Sequence, residues 1–138
     1  MSKPDEDAAE SRRDPIGFSG QIAEALGQRG AWPVLQRLIQ AQQESPNDLR
    51  LLGYIEIVRN VIVRDFLAAA SGADRIPKLT SEFLTDYARF NLSAQEGYLV
   101  SLIDGRLPLQ QLLLLSPFDT FTTLFCLARL RNQRAIMI

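Results

Sequence analysis

Residues 93–138 read SAQEGYLVSLIDGRLPLQQLLLLSPFDTFTTLFCLARLRNQRAIMI, and their punctuation decides the fold. Ser93-Ala94-Gln95-Glu96 has the S-x-x-E spacing of a capping box, in which two otherwise orphaned N–H groups are satisfied reciprocally. The helix it predicts carries Tyr98, Leu99, Leu102 and Ile103 and stops at Asp104-Gly105. Leu107-Pro108 then opens a short helix with Leu109, Leu112, Leu113 and Leu115. Ser116-Pro117-Phe118-Asp119 offers a cap, a proline at the first helical position and an acid near the positive end of the helix dipole. It predicts a helix over 117–132 whose buried stripe is Phe118, Phe121, Leu124, Phe125 and Ala128, with Leu127 beside it. Ala135-Ile136-Met137-Ile138 has the β-branched composition of a short terminal strand. Helix, short helix, turn, longer helix and strand is the order of a helix-turn-helix unit of winged-helix character.

Upstream, Pro77 disfavours helix at Ile76, so Arg75 to Leu79 reads as an extended segment or short edge strand. Ser81 caps a helix with Phe83, Leu84, Tyr87 and Phe90. Ser45-Pro46-Asn47-Asp48 starts a long helix that runs to about Ala70, with Gly72 as its stop. Its circumference is apolar except for a narrow polar stripe, which means burial on more than one side. Trp32-Pro33 opens the preceding helix, and Ile22, Ala23, Leu26 and Phe18 give a short one before that, ending near Gly27 or Gly30. The antiparallel pair joined at Ser45–Asp48 resembles a single tetratricopeptide-type hairpin, with no second copy at a fixed period. Residues 1–14 are charged, lack an apolar face and read as a disordered tail. The expected fold is therefore mainly α: one helical domain over 15–138, in which an N-terminal helical hairpin (15–74) packs on a C-terminal helix-turn-helix-like unit (75–138) with one or two very short strands.

Composition excludes much chemistry. The 138 residues contain no histidine and one cysteine, so a Ser-His-Asp triad, a Cys-His dyad, a disulfide framework and a Cys/His zinc site are all ruled out within one chain. Lys+Arg is 15 and Asp+Glu 16, whereas a phosphate-tracking domain is strongly basic. Asp104 and Arg106 around Gly105 read as a helix-ending turn, and Cys126 lies on a helix with no basic neighbour of matching geometry to activate it. No Gly-rich phosphate loop or metal-ligand spacing occurs. No apolar run approaches the ~18 residues of a spanning helix, and the N-terminus lacks a signal-peptide core. The expectation is a cytoplasmic, non-enzymatic protein without cofactor or metal.

Glu96 to Arg106 (EGYLVSLIDGR), the following L-x-x-L, then S-P-F-D, L-F-C-L-A-R-L and the closing A-I-M-I resemble a module at the C-termini of many myxobacterial and related bacterial regulatory proteins. There the pattern often reads E-G-F-L-L-S-x-I-D-G-R and ends in G-V-I. The stretches Tyr54–Arg59, Arg64–Leu67 and Ile76–Leu79 resemble what precedes it, so the likeness covers about residues 45–138. It departs at Arg134-Ala135, where the module carries glycine, and this chain has no kinase or receiver domain beside it. The resemblance implies a regulatory adaptor of bacterial signal transduction, in polarity or motility control, that binds a response-regulator receiver domain or a small Ras-like GTPase. Homodimer formation is a further option.

The residues expected to meet a partner flank the polar stripe of the long helix (Ile57, Arg59, Asn60, Arg64 and Asp65) or lie on the last helix (Thr122 and Arg129, with Cys126 and Leu130). The alternative is a winged-helix-type DNA-binding transcriptional regulator. It is disfavoured because Phe118, Asp119, Thr120, Thr122 and Thr123 occupy the positions where Arg, Lys, Asn or Gln would read bases.

Overall fold

The computed structural model describes residues 15–70 and 75–138; the expected tail and the Gly72 stop lie outside them. The described chain is mainly helical, with a short two-stranded sheet. It forms two compact units that divide inside a long helix, between Val61 and Ile62, rather than after that helix ends.

The first unit holds α1 (Pro15–Arg29), α2 (Ala31–Glu44) and the opening part of α3 (Leu49–Ala70). Pro15 heads α1, where its missing N–H leaves nothing unpaired. The helix runs through Gly20 and Gly27 and breaks only at Gly30, whose φ of +85° suits a residue without a Cβ. Trp32 and Pro33 lie in the first turn of α2, and Val34, Leu35 and Leu38 form its buried row. α1 and α2 pack against each other.

Helix α3 starts later than the Ser-Pro-Asn-Asp signal suggests. The Ser45 N–H still donates to the Ala41 carbonyl, closing α2, and the Asp48 N–H donates to the Ser45 carbonyl. The Asp48 carboxylate then accepts the Arg50 N–H at 3.0 Å. Asp48 is thus the cap, its carboxylate lying at the positive end of the helix dipole. Within the first unit α3 buries Leu51, Tyr54 and Val58; its continuation in the second unit buries Ile62, Val63, Phe66 and Ala70. The buried residues Tyr54, Val58, Ile62, Phe66 and Ala70 recur every four positions and form one slowly drifting row along the helix.

The second unit continues with β1 (Lys78–Leu79), α4 (Ser81–Thr85), a 3-10 turn (Tyr87–Arg89), α5 (Ala94–Leu102), α6 (Leu109–Leu115), α7 (Thr120–Asn132) and β2 (Ile136–Met137). The strands pair antiparallel, Lys78 opposite Met137 and Leu79 opposite Ile136. α5, α6 and β2 all pack on α7. Thr80, not Ser81, caps α4. Its hydroxyl accepts the Phe83 N–H at 3.1 Å and donates to the Arg134 carbonyl at 2.6 Å, while its N–H donates to the Ala135 carbonyl at 3.0 Å. Phe90, expected in that helix, lies beyond the 3-10 turn and meets Phe83 edge-on at 5.2 Å. The preference for Thr80 comes from a partner 54 residues away, which local spacing does not reveal.

α7 begins at Thr120, because Asp119 rather than Ser116 is its cap: the Asp119 carboxylate accepts the Thr122 N–H at 2.7 Å. The buried stripe differs from the expected one. Thr123, Leu124, Cys126, Leu127, Ala128 and Leu130 are buried, while Phe118, Phe121 and Phe125 are only half-buried. Thr123 tolerates full burial because its hydroxyl meets the Asp119 carbonyl at 2.9 Å and the Ser116 hydroxyl at 2.7 Å.

The end of α7 is a Schellman turn. The Ala135 N–H reaches back to the Leu130 carbonyl and the Arg134 N–H to the Arg131 carbonyl. Arg134 takes φ +66°, the left-handed conformation in which a Cβ crowds the following carbonyl. Arg134→Gly is expected to raise stability by about 0.5–1 kcal/mol, the relief of strain being offset in part by a freer unfolded chain. Urea denaturation checks this, and a loss of stability would show that the Arg134 side chain has a stabilising role of its own.

Candidate functional site

The polar residues of the EGYLVSLIDGR stretch are engaged in holding the second unit together. Ser93 and Glu96 form the expected capping box: the Ser93 hydroxyl accepts the Glu96 N–H at 3.1 Å, and Glu96 Oε1 accepts the Ser93 N–H at 2.9 Å. Glu96 is 1% exposed, and its other oxygen lies 3.3 Å from Arg129 Nε. Asp104 accepts the N–H groups of Arg106 and Leu107 at 2.8 and 2.9 Å across Gly105, whose φ is +79°. Those two N–H groups hold the Asp104 carboxyl below its ordinary range. The turn is therefore an end to α5 and a lead into α6, with the Asp104 carboxylate committed to the backbone.

The residues expected to contact a partner separate into accessible and committed ones. In the first unit Ile57 is 52% exposed and Asn60 is exposed, its amide donating to the Glu56 carbonyl at 2.8 Å. Arg59 is half-buried and pairs with Glu56 at 3.0 Å. In the second unit Arg64 and Asp65 are exposed and pair with each other at 3.8 Å. Thr122 is part of the α7 cap, its hydroxyl donating to the Asp119 carboxylate at 3.0 Å. Arg129 is the partner of Glu96. Cys126 and Leu130, expected at the surface, are buried, because the inward face of α7 is centred on Thr123 and Leu127. The charges on α7 suit the helix dipole, with Asp119 at its start and Arg129 and Arg131 in its last turn.

The sequence reading did not single out a groove in the first unit. Ile22 and Ala25 of α1, Val34, Leu38 and Ala41 of α2 and Leu51 of α3 line an apolar hollow of about 250 Å³, flanked by Arg29 and Arg37. The two alanines keep its walls low, and the aliphatic side chains give it a floor. Neither arginine makes an ion pair among the described residues. A usable signal was present: Arg29 closes α1, Arg37 lies one helix later, and the turn at Gly30 folds the two helices onto each other. The hollow offers shape and positive charge, the requirements for binding an apolar side chain beside a carboxylate.

Among the described residues, no helix is long and apolar enough to cross a membrane, and no group of three or more metal-ligating side chains converges.

Two substitutions test the structural roles. Arg129→Met should cost about 1–3 kcal/mol, since it strands a buried carboxylate, and Glu96→Gln should cost less, since the amide oxygen still accepts the Ser93 N–H. Denaturant midpoints give the order, and the reverse order would mean the pair is not a unit. Asp104 has a depressed folded-state pKa, so the stability it contributes is complete at neutral pH and is lost as pH falls through the carboxylate range. Asp104→Asn should therefore flatten the loss of stability between about pH 7 and about pH 3; an unchanged profile would place the acid sensitivity elsewhere. No protein-family model, curated protein or solved structure matches this chain.

Proposed function

We propose that the protein is a non-enzymatic, cytoplasmic adaptor of bacterial signal transduction that binds a signalling protein through the first unit. The observation that carries this reading is the Arg-flanked apolar groove between α1, α2 and the start of α3. Its occupant is an acidic amphipathic helix of the partner: apolar side chains seat between Ala25, Val34, Leu38 and Ala41, and carboxylates meet Arg29 and Arg37. Helix-in-groove recognition uses this combination of apolar anchors and flanking charge. The resemblance described above supplies the partner classes, a receiver domain or a small Ras-like GTPase. A sequence without histidine and with one cysteine has little reactive chemistry to set against shape recognition.

The test is calorimetric titration of the full chain with purified receiver domains and with small Ras-like GTPases in both nucleotide states. Arg29→Glu/Arg37→Glu and the groove-filling Ala41→Trp should each weaken binding about tenfold or more, equivalent to about 1.4 kcal/mol. Ile57→Ala should leave it unchanged. Loss of affinity through Ile57→Ala alone would move the interface to the outer face of α3, and absence of binding to both partner classes would remove the signalling assignment.

The order α5–α6–α7–β2 is the observation favouring the second reading, a winged-helix-type DNA-binding regulator. Gel-shift titration at two salt concentrations decides it, because phosphate contacts give a steep salt dependence.

A further inference from the structure

The second unit carries a surface of a different kind. Arg75, Ile76, Lys78, Met137 and Ile138 line a hollow of about 460 Å³ beside the two-stranded sheet. Lys78 and Met137 are directly opposed, so their side chains share one face, and Ile76, two residues before Lys78, falls on that face by the alternation of extended chain. Pro77 and Ile136, on the other face, are buried. Ile76 and Met137 are exposed apolar side chains, and Arg75 and Lys78 make no ion pair among the described residues. Two cations thus flank two uncovered apolar groups.

The backbone indicates how an occupant would be held. The Thr80 N–H bond to the Ala135 carbonyl makes Thr80/Ala135, and hence Lys78/Met137, the hydrogen-bonded pairs of the ladder, which turns the main-chain groups of Pro77 and Leu79 outward. Pro77 has no N–H to give, so this edge does not template a third strand. Recognition on this face runs through side chains.

We propose that this face is a second docking surface, and that its occupant is an acidic segment of a partner protein whose carboxylates meet Arg75 and Lys78 while apolar side chains cover Ile76 and Met137. The proposal rests on the reading of the chain as a protein-binding adaptor, and gives each compact unit its own surface, as an adaptor joining two proteins requires.

Fluorescence anisotropy of the full chain tests it, with a labelled probe peptide in which glutamates flank a pair of leucines and a control in which lysines replace the glutamates. The wild type should bind the acidic peptide, with an affinity that falls as salt rises, and not the basic one. Arg75→Glu/Lys78→Glu should weaken the acidic peptide by about tenfold and gain binding of the basic peptide, a reversal that misfolding would not produce. In the Arg29→Glu/Arg37→Glu variant, whose first-unit groove no longer attracts the acidic peptide, binding should persist and should be lost only when Arg75→Glu/Lys78→Glu is added, separating the two surfaces. Equal binding of the two peptides, no binding of either, or loss through the Arg29/Arg37 variant would each overturn the proposal.

Discussion

A carboxylate removed from water must have its oxygens satisfied, or the helix carrying it does not stay folded. Glu96 meets this demand in two directions. One oxygen accepts the Ser93 N–H at the start of its own helix, and the other meets Arg129 in the last turn of α7. The pair ties α5 to α7, the helix on which α6 and β2 also pack. From there the Schellman turn at Arg134 leads the chain into β2, and Thr80 binds the carbonyls on both sides of that junction. Capping box, ion pair, helix end and strand pairing form one connected set of polar contacts around a core of Leu99, Leu109, Leu112, Leu127 and Leu130, all buried.

That commitment shapes what remains for function. Asp104, Asp119 and Thr122 are occupied by the backbone or by each other, and Arg129 by Glu96. Among the described residues, two hollows combine apolar lining with arginine or lysine side chains that make no ion pair, one in each unit. Surfaces of this kind select partners by shape and by the sign of charge, and their affinity comes from a few well-seated anchors.

The helical content, the capping box and the extended segment at Pro77 were legible because each rests on contacts within a few residues. The terminal strand was legible from its composition. What local reading missed was set by distant partners. Thr80 outcompeted Ser81 as a cap because the Arg134 carbonyl engages its hydroxyl. Asp48 and Asp119 displaced serine caps placed three residues earlier, their carboxylates gaining in addition from the positive end of the helix dipole, and the inward face of α7 is centred on Thr123 and Leu127 rather than on the phenylalanines. The Arg134-Ala135 departure from glycine was visible in the sequence, but its meaning, a left-handed turn occupied by an arginine, required the dihedral angle. Of the residues expected at an interface, Ile57, Asn60, Arg64 and Asp65 are accessible. The groove was missed because its walls come from three helices, each of which looks like ordinary core when read alone.

The central claim is that Glu96 and Asp104 of the EGYLVSLIDGR stretch build the second unit, while binding of the signalling partner belongs to the Arg-flanked groove of the first. The most direct test is a double dissociation, in which the urea midpoint and the affinity for a bound signalling partner are measured on the same preparations of Glu96→Gln and Arg37→Glu. The account predicts that Glu96→Gln lowers the midpoint and leaves the affinity of the folded protein unchanged, and that Arg37→Glu lowers the affinity and leaves the midpoint unchanged. Loss of affinity in a fully folded Glu96→Gln protein, with Arg37→Glu binding normally, would contradict it.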